Sequence, residues 1–92
     1  MPAFSSAEIA EALKTIPDWR LDKGALARSF SFSDFREAMS FVNSVAAVAE
    51  RAGHHPDIDI RYNKVHLALS SHDAGGITER DFSLAAEIGN IL

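Results

Sequence analysis

The sequence predicts an α+β fold in which a four-stranded antiparallel sheet carries three helices packed on one face. Two pairs of short segments alternate polar and apolar residues, and each pair is joined by a tight turn, as in β-hairpins. Apolar residues at helical spacing precede the first hairpin, separate the two hairpins and close the chain. No linker or low-complexity tract interrupts this α-β-β-α-β-β-α order, so residues 1–92 are predicted to form a single domain.

The first helix is predicted from a capping pattern and a helix breaker. Ser5 and Glu8 have the spacing of a capping box. Pro17 ends the apolar periodicity that follows, which predicts a helix over about 7–15. Alternation then predicts the first hairpin, which comprises a strand over 19–21, a turn over 22–24 and a strand over 25–32.

The strongest periodic signal belongs to the central helix. Apolar residues recur at i, i+3, i+4 and i+7 spacing from Phe35 to Ala49, over four turns. Ser33 suits the N-cap, and Gly53 suits the left-handed residue that ends such a helix. We therefore predict a helix over 33–52, the longest of the chain.

The second hairpin alternates polar and apolar residues without interruption. Tyr62 shares parity with Ile58 and Ile60, so its ring is expected in the core. Thr78 suits the N-cap of a last helix, which carries apolar residues to the end of the chain. The predicted segments before that helix are a strand over 57–62, a turn at 63–64, a strand over 65–70 and a loop over 71–76.

Composition excludes several classes of function. The net charge of −4, with scattered Lys and Arg, gives no basic patch for nucleic acid or anionic lipid. Without cysteine, the chain has no disulfide, thiolate metal site or cysteine nucleophile. The N-terminus lacks the pattern of a signal peptide, and no apolar run approaches the roughly 20 residues that span a bilayer. We expect a cytoplasmic protein that binds neither membrane nor nucleic acid.

Residues suited to proton transfer gather at one junction. Glu50, His54 and His55 lie between the central helix and the second hairpin, and the hairpin returns His72 toward the same end. Histidine titrates near neutrality, so it can both give and accept a proton. Glu50 occupies the last helical turn, where the macrodipole disfavours an anion. This placement suggests a functional role, with pairing to a nearby Arg51 or Lys64 as the alternative.

The roles of the histidines stay open at this point. Adjacent residues on extended backbone face opposite sides, so His54 and His55 aim at one point only if the chain bends between them. The alternative interpretation is that these histidines are ordinary polar loop residues. A zinc site built from these two and His72 is disfavoured because no histidine pair has i, i+4 spacing on a helix. We predict no metal.

Four further residues have simpler interpretations. Asp81 is explained as an acidic first-turn residue of the last helix, and Arg80 beside it suits a pair with a carboxylate. Trp19 is more typical of packing than of a pocket. His66 lies on the polar face of a strand, where we expect a solvated or cross-strand role.

The chain resembles the pterin-4a-carbinolamine dehydratases, also called 4a-hydroxytetrahydrobiopterin dehydratases. The family signature is an acidic residue, three positions, His-His-Pro, five or six positions, an aromatic residue, nine positions, His or Trp, and then Asp. The resemblance extends from about Trp19 to the C-terminus, although some members, notably the animal ones, carry tryptophan where Ile58 stands. The matching residues are Glu50, His54-His55-Pro56, Tyr62, His72 and Asp81.

The resemblance implies an enzyme that removes water from a 4a-hydroxytetrahydropterin to give the quinonoid dihydropterin. This reaction recycles the cofactor of aromatic amino acid hydroxylases and requires no metal or redox cofactor. By resemblance, the acid–base and substrate-binding groups are His54, His55 and His72. The candidate orienting or substrate-binding residues are Glu50, Asp81, Trp19 and Arg80.

The resemblance also bears on partners. Family members form dimers and tetramers, and a small sheet with exposed edges needs cover, so we expect a homodimer or homotetramer. Animal members bind a homeodomain transcription factor and stabilise its dimer. The rival function is therefore a dimerisation or transcription-cofactor binding module. The intact set of histidines favours the enzyme, because a pure scaffold has no need of it.

Overall fold

The computed structural model describes residues 2–92, which form four strands and three α-helices. A single turn of 3-10 helix, His72–Ala74, joins the second hairpin to the last helix. The predicted α+β order is confirmed. The elements are α1 (Ser6–Leu13), β1 (Arg20–Asp22), β2 (Ala25–Ser31), α2 (Phe35–Ala52), β3 (Asp57–Arg61), β4 (Lys64–Leu69) and α3 (Glu79–Gly89).

All neighbouring strands are antiparallel, in the order β1-β2-β4-β3. Asp57 at the start of β3 pairs with Ala68 near the end of β4. Leu26 near the start of β2 pairs with Leu69 at the same end. This register brings the segment that enters β3 and the loop that leaves β4 to one edge of the sheet, where the candidate site lies.

The core lies between the helices and one face of the sheet. Leu26 and Leu67 are fully buried on that face, and they share one apolar cluster with Val45 of α2 and Ile88 of α3. Burying a side chain of this size away from water contributes roughly 1.5–3 kcal/mol to the free energy of unfolding. Residues of α1 pack on the margin of the same cluster, as Ile9 illustrates.

The ends of α2 show one agreement and one correction. Gly53 ends the helix in the left-handed region, with φ of 66°, as predicted. The N-cap is Asp34 rather than Ser33, because the Asp34 carboxylate accepts from the Glu37 backbone N–H at 2.9 Å. The backbone N–H of Ser33 instead donates to the Glu37 carboxylate at 3.0 Å. A carboxylate at this position is also stabilised by the positive end of the helix dipole.

The second hairpin turns one residue earlier than predicted. Arg61 pairs with Lys64, so the two-residue turn is Tyr62-Asn63 and not Asn63-Lys64. Tyr62 takes a left-handed φ of 55° and is 65% exposed, so the expectation that its ring lies in the core is wrong. The Asn63 amide fixes the turn by donating to the Phe32 carbonyl at 2.8 Å.

Other boundaries differ from the predicted ones by one to three residues. β1 begins at Arg20, after Trp19, and α3 ends at Gly89, before the end of the chain. In the first hairpin, the two-residue turn Lys23-Gly24 has φ of 51° and 78°. Both residues therefore have the backbone of a type I′ turn, which matches the twist of the flanking strands.

The left-handed conformation of Lys23 predicts a stabilising substitution. Asparagine tolerates this conformation better than lysine, so Lys23→Asn should raise the free energy of unfolding by about 0.5–1 kcal/mol. Urea denaturation measures the change. Lys23→Ala removes the same charge without the conformational gain and serves as the control. Equal stability of the two variants would contradict the explanation.

Candidate active site

Three chain segments meet at the edge of the sheet where β3 begins. His54 follows the end of α2, Ser71 and His72 follow β4, and Asp81 lies in the first turn of α3. Their meeting depends on the register of β3 and β4, which aligns the start of one strand with the end of the other. Residues distant in sequence thus share one corner of the molecule.

A buried imidazole–carboxylate pair forms the centre of this corner. The distance between Nε2 of His54 and Oδ1 of Asp81 is 2.5 Å. Asp81 is fully buried, and His54 is only 9% exposed. A carboxylate withdrawn from water needs strong hydrogen-bond donors, and an imidazole N–H is one.

The second oxygen of the Asp81 carboxylate is held by two more donors. Oδ2 accepts from the Ser71 hydroxyl at 2.9 Å and from the Thr78 backbone N–H at 2.8 Å. The Ser71 and Thr78 hydroxyls are in turn 2.8 Å apart. The predicted cap at Thr78 is confirmed, with Asp81 completing a capping box.

Ser71 is the residue that sequence reasoning missed. It is 1% exposed and donates to the carboxylate bonded to His54. It also closes the loop that carries His72, since Ser71 and Gly76 exchange backbone hydrogen bonds of 2.8 and 3.2 Å. A single serine at the end of a strand has no distinguishing spacing, so no sequence signal separates it from an ordinary loop residue.

His55 belongs to a second, exposed pair. Its Nε2 lies 3.2 Å from Oε1 of Glu50, and both side chains are mostly in solvent. Glu50 in the last turn of α2 therefore pairs with an imidazole rather than with Arg51 or Lys64. His54 and His55 face different environments, one buried and one exposed, as alternation along extended backbone requires.

His72 stands apart from both pairs. It is exposed and lines a cavity of about 350 Å³ with Lys23, Ser70 and Ser71. No hydrogen bond of the described chain links it to His54 or His55, whose rings are bonded to carboxylates. The same corner thus contains all three histidines, in three separate environments.

Arg80 fastens the loop that carries His72. Its Nη2 donates to Oδ1 of Asp73 at 2.7 Å, and this hydrogen bond lowers the pKa of the Asp73 carboxyl below its ordinary value. Its Nε is buried without a hydrogen-bond partner in the described residues. Arg80 also lines a cavity of about 160 Å³ together with His54.

The structure does not bring Trp19 to this corner. Trp19 is 5% exposed, and its ring meets the Phe30 ring edge-on at 6.4 Å between centroids. The cavity of about 430 Å³ that it lines contains no histidine. His66 is placed across the sheet, where its Nδ1 lies 2.8 Å from the Ser29 hydroxyl of the adjacent strand, the cross-strand role expected of it.

Two features concern metals and membranes. Residues 2–92 contain no group of three His, Asp or Glu side chains placed to hold a metal ion together. Of the helices in these residues, none combines the length and the apolar character needed to cross a bilayer.

Comparison with known proteins gives a consistent family. A family model described as pterin 4 alpha carbinolamine dehydratase matches residues 2–91. A protein of Chloroflexus aurantiacus named "Putative pterin-4-alpha-carbinolamine dehydratase" is 58% identical over 92 residues, covering 100% of this chain and 99% of that protein. A protein of the same name from Acidobacterium capsulatum is 56% identical over 92 residues, covering 100% of both.

Two solved structures share the fold. The crystal structure of a transcriptional coactivator/pterin dehydratase from Brucella melitensis has a TM-score of 0.91 and 34% identity, and the match covers 97% of each chain. A pterin dehydratase-like protein identified as a RuBisCO assembly factor in the alpha-carboxysome has a TM-score of 0.67 and 26% identity. That match covers 80% of this chain and 88% of the other.

The burial of Asp81 predicts a large stability effect. Asp81→Ala removes a helix cap. It also leaves the Ser71 hydroxyl, the Thr78 N–H and the His54 ring without their hydrogen-bond acceptor, so it should lower the free energy of unfolding by about 3 kcal/mol. Denaturant unfolding measures the loss. Asp73→Ala removes an exposed carboxylate from the same region and should change stability little. A comparable loss in both variants would show that charge, and not burial, sets the effect.

Proposed function

The chain belongs to the pterin-4-alpha-carbinolamine dehydratase family, and on this premise we propose that it removes water from a 4a-hydroxytetrahydropterin to give the quinonoid dihydropterin. The observation that carries the proposal is the buried His54–Asp81 pair at a corner shared with His55 and His72. These are the positions of the family signature, and their chemistry suits a reaction that is catalysed by proton transfer.

The reaction needs one acid and one base. The bond between C4a and the hydroxyl oxygen breaks, the departing oxygen takes a proton to leave as water, and a ring nitrogen gives up a proton. Protons gained and lost balance, so the net charge of the enzyme is unchanged, and one proton exchange between the two groups or with solvent restores its starting state. Each positioned proton-transfer group contributes about 10²–10⁴-fold in rate, or roughly 3–5 kcal/mol of barrier.

The three environments support a division of roles. A buried carboxylate holds the His54 ring in one orientation and stabilises its charged form after it accepts a proton. His55 and His72 are exposed, and His72 lines a cavity of about 350 Å³. We assign acid–base or substrate-binding roles to all three. Asp81 orients His54, and Glu50 orients His55.

Two other candidates differ in their support. Arg80 lies beside His54 and fastens the loop of His72 through Asp73, which supports an orienting role. Trp19 lies in the core and shares no cavity with a histidine, so we leave it out of the proposed site.

A second candidate function is a protein-binding module of the same fold. The observation that favours it is that two proteins of similar structure carry names of this kind, a transcriptional coactivator/pterin dehydratase and a RuBisCO assembly factor. The decisive experiment is an assay of the purified protein on chemically generated carbinolamine, followed by ultraviolet absorption. Dehydration no faster than the uncatalysed reaction would favour the binding module.

Replacing the histidines one at a time tests their roles. His54→Ala and His72→Ala should each lower kcat by about 10²-fold, because each removes a proton-transfer group. His55→Ala should at least raise KM. His66→Ala is the matched control, and its kinetics should stay at the wild-type values. Wild-type turnover in folded His54→Ala and His72→Ala would refute the mechanism and favour the binding module.

Metal independence is a separate expectation. If the histidines act through protons alone, exhaustive chelation leaves kcat unchanged, and elemental analysis of the purified protein finds no stoichiometric zinc. Activity that falls on chelation and returns with one divalent ion would overturn this expectation.

The state of assembly is the last expectation. β1 and β3 are edge strands of a small sheet, and such edges are commonly covered by another chain. We propose a homodimer or homotetramer. Sedimentation equilibrium at micromolar concentration should give a multiple of the 10.0 kDa chain mass. A monomer throughout that range would contradict the proposal.

A further inference from the structure

The hydroxyl groups beside Asp81 form a series of hydrogen bonds in which the donor of each bond can be assigned. The Ser71 hydroxyl has one proton and gives it to Oδ2 of Asp81. In the contact between the Ser71 and Thr78 hydroxyls, Thr78 must therefore be the donor. The Thr78 oxygen accepts in turn from the backbone N–H of Arg80 at 3.2 Å. Every donor of this series points toward the carboxylate.

The same assignment of donors determines which nitrogen of His54 carries the proton. Two donors on Oδ2 favour the ionised carboxylate, which can only accept hydrogen bonds. Its other oxygen, Oδ1, faces Nε2 of His54, so Nε2 must carry a proton. In a neutral imidazole one nitrogen carries the proton and the other holds a lone pair, so the lone pair of neutral His54 lies on Nδ1.

Nδ1 of His54 is free to react. It has no hydrogen-bond partner within residues 2–92. Among these residues, the one side-chain nitrogen or oxygen that is both buried and without a hydrogen-bond partner is Nε of Arg80, so Nδ1 of His54 is not such a buried atom. Nδ1 is therefore reachable by solvent. We propose that Ser71 and Thr78 are positioning residues that fix neutral His54 with its proton on Nε2, which makes Nδ1 the nitrogen that exchanges protons with a ligand.

The tautomer itself can be observed without any substrate. Two-bond proton–nitrogen correlations of ¹⁵N-labelled protein distinguish the two neutral forms of each histidine. We expect His54 in the Nε2–H form at a pH where its ring is neutral. A His54 ring protonated on Nδ1, or one that stays doubly protonated wherever the protein is folded, would overturn the proposal.

Variants test whether this series of hydroxyl groups sets the tautomer. Ser71→Ala removes one donor from the Asp81 carboxylate and so favours its protonated form, in which the carboxyl O–H donates to Nε2; the Nδ1–H form of His54 should then appear in the spectrum. Thr78→Ser keeps the hydroxyl and should retain the wild-type form. Ser29→Ala is the matched control, since it removes a hydroxyl from His66 and should alter the His66 signals alone. A Ser71→Ala spectrum identical to wild type at His54 would refute the role of Ser71.

The kinetic consequence rests on the proposed function. If Nδ1 of His54 transfers the proton, Ser71→Ala should lower kcat on the order of 10-fold with little change in KM, and Thr78→Ser, which keeps its hydroxyl, should have a kcat near wild type. Wild-type kcat in Ser71→Ala would count against the positioning role. An inactive wild-type protein that still shows the Nε2–H form would refute the dehydratase function while leaving the tautomer assignment standing.

Discussion

Burial of the Asp81 carboxylate is the constraint on which the corner of the molecule depends. A carboxylate excluded from water costs several kcal/mol unless donors surround it, and no single segment of this chain supplies enough of them. The donors come from the end of α2, the end of β4 and the start of α3, through His54, Ser71 and Thr78. Satisfying one charge thus joins three segments, and the hydrogen bonds that stabilise the fold are also those that orient a histidine.

Local patterns predicted the elements because their causes are local. The 3.6-residue periodicity of α2 and the Thr78–Asp81 capping box both arise within a few turns of chain. The errors lie where neighbours compete for one role. Ser33 and Asp34 are both suitable N-caps, and the carboxylate prevailed. The turn at Tyr62-Asn63 was set by the pairing of β3 with β4, which alternation within one strand does not reveal.

The site could be predicted in its residue types but not in its pairs. The spacing of His54, His55 and His72 indicated proton transfer, and their neighbourhood followed from the hairpin. Which carboxylate holds which ring depends on side-chain direction at the helix end and on tertiary contact. The local pattern gave Asp81 a capping role and the family resemblance made it a candidate orienting residue. Neither paired it with His54, and neither gave Ser71 a role.

The two imidazole–carboxylate pairs contain the same chemical groups in different surroundings, and the surroundings separate what they can do. Coulomb attraction weakens with the effective dielectric, so the exposed Glu50–His55 pair holds its ring loosely, and ion pairs of this kind contribute about 0–1 kcal/mol. His55 can then leave Glu50 at little cost in free energy. The buried Asp81 has no solvent to replace His54, so that ring stays in place. Under the proposed function, a fixed ring beside a loosely held one suits two different steps of proton transfer.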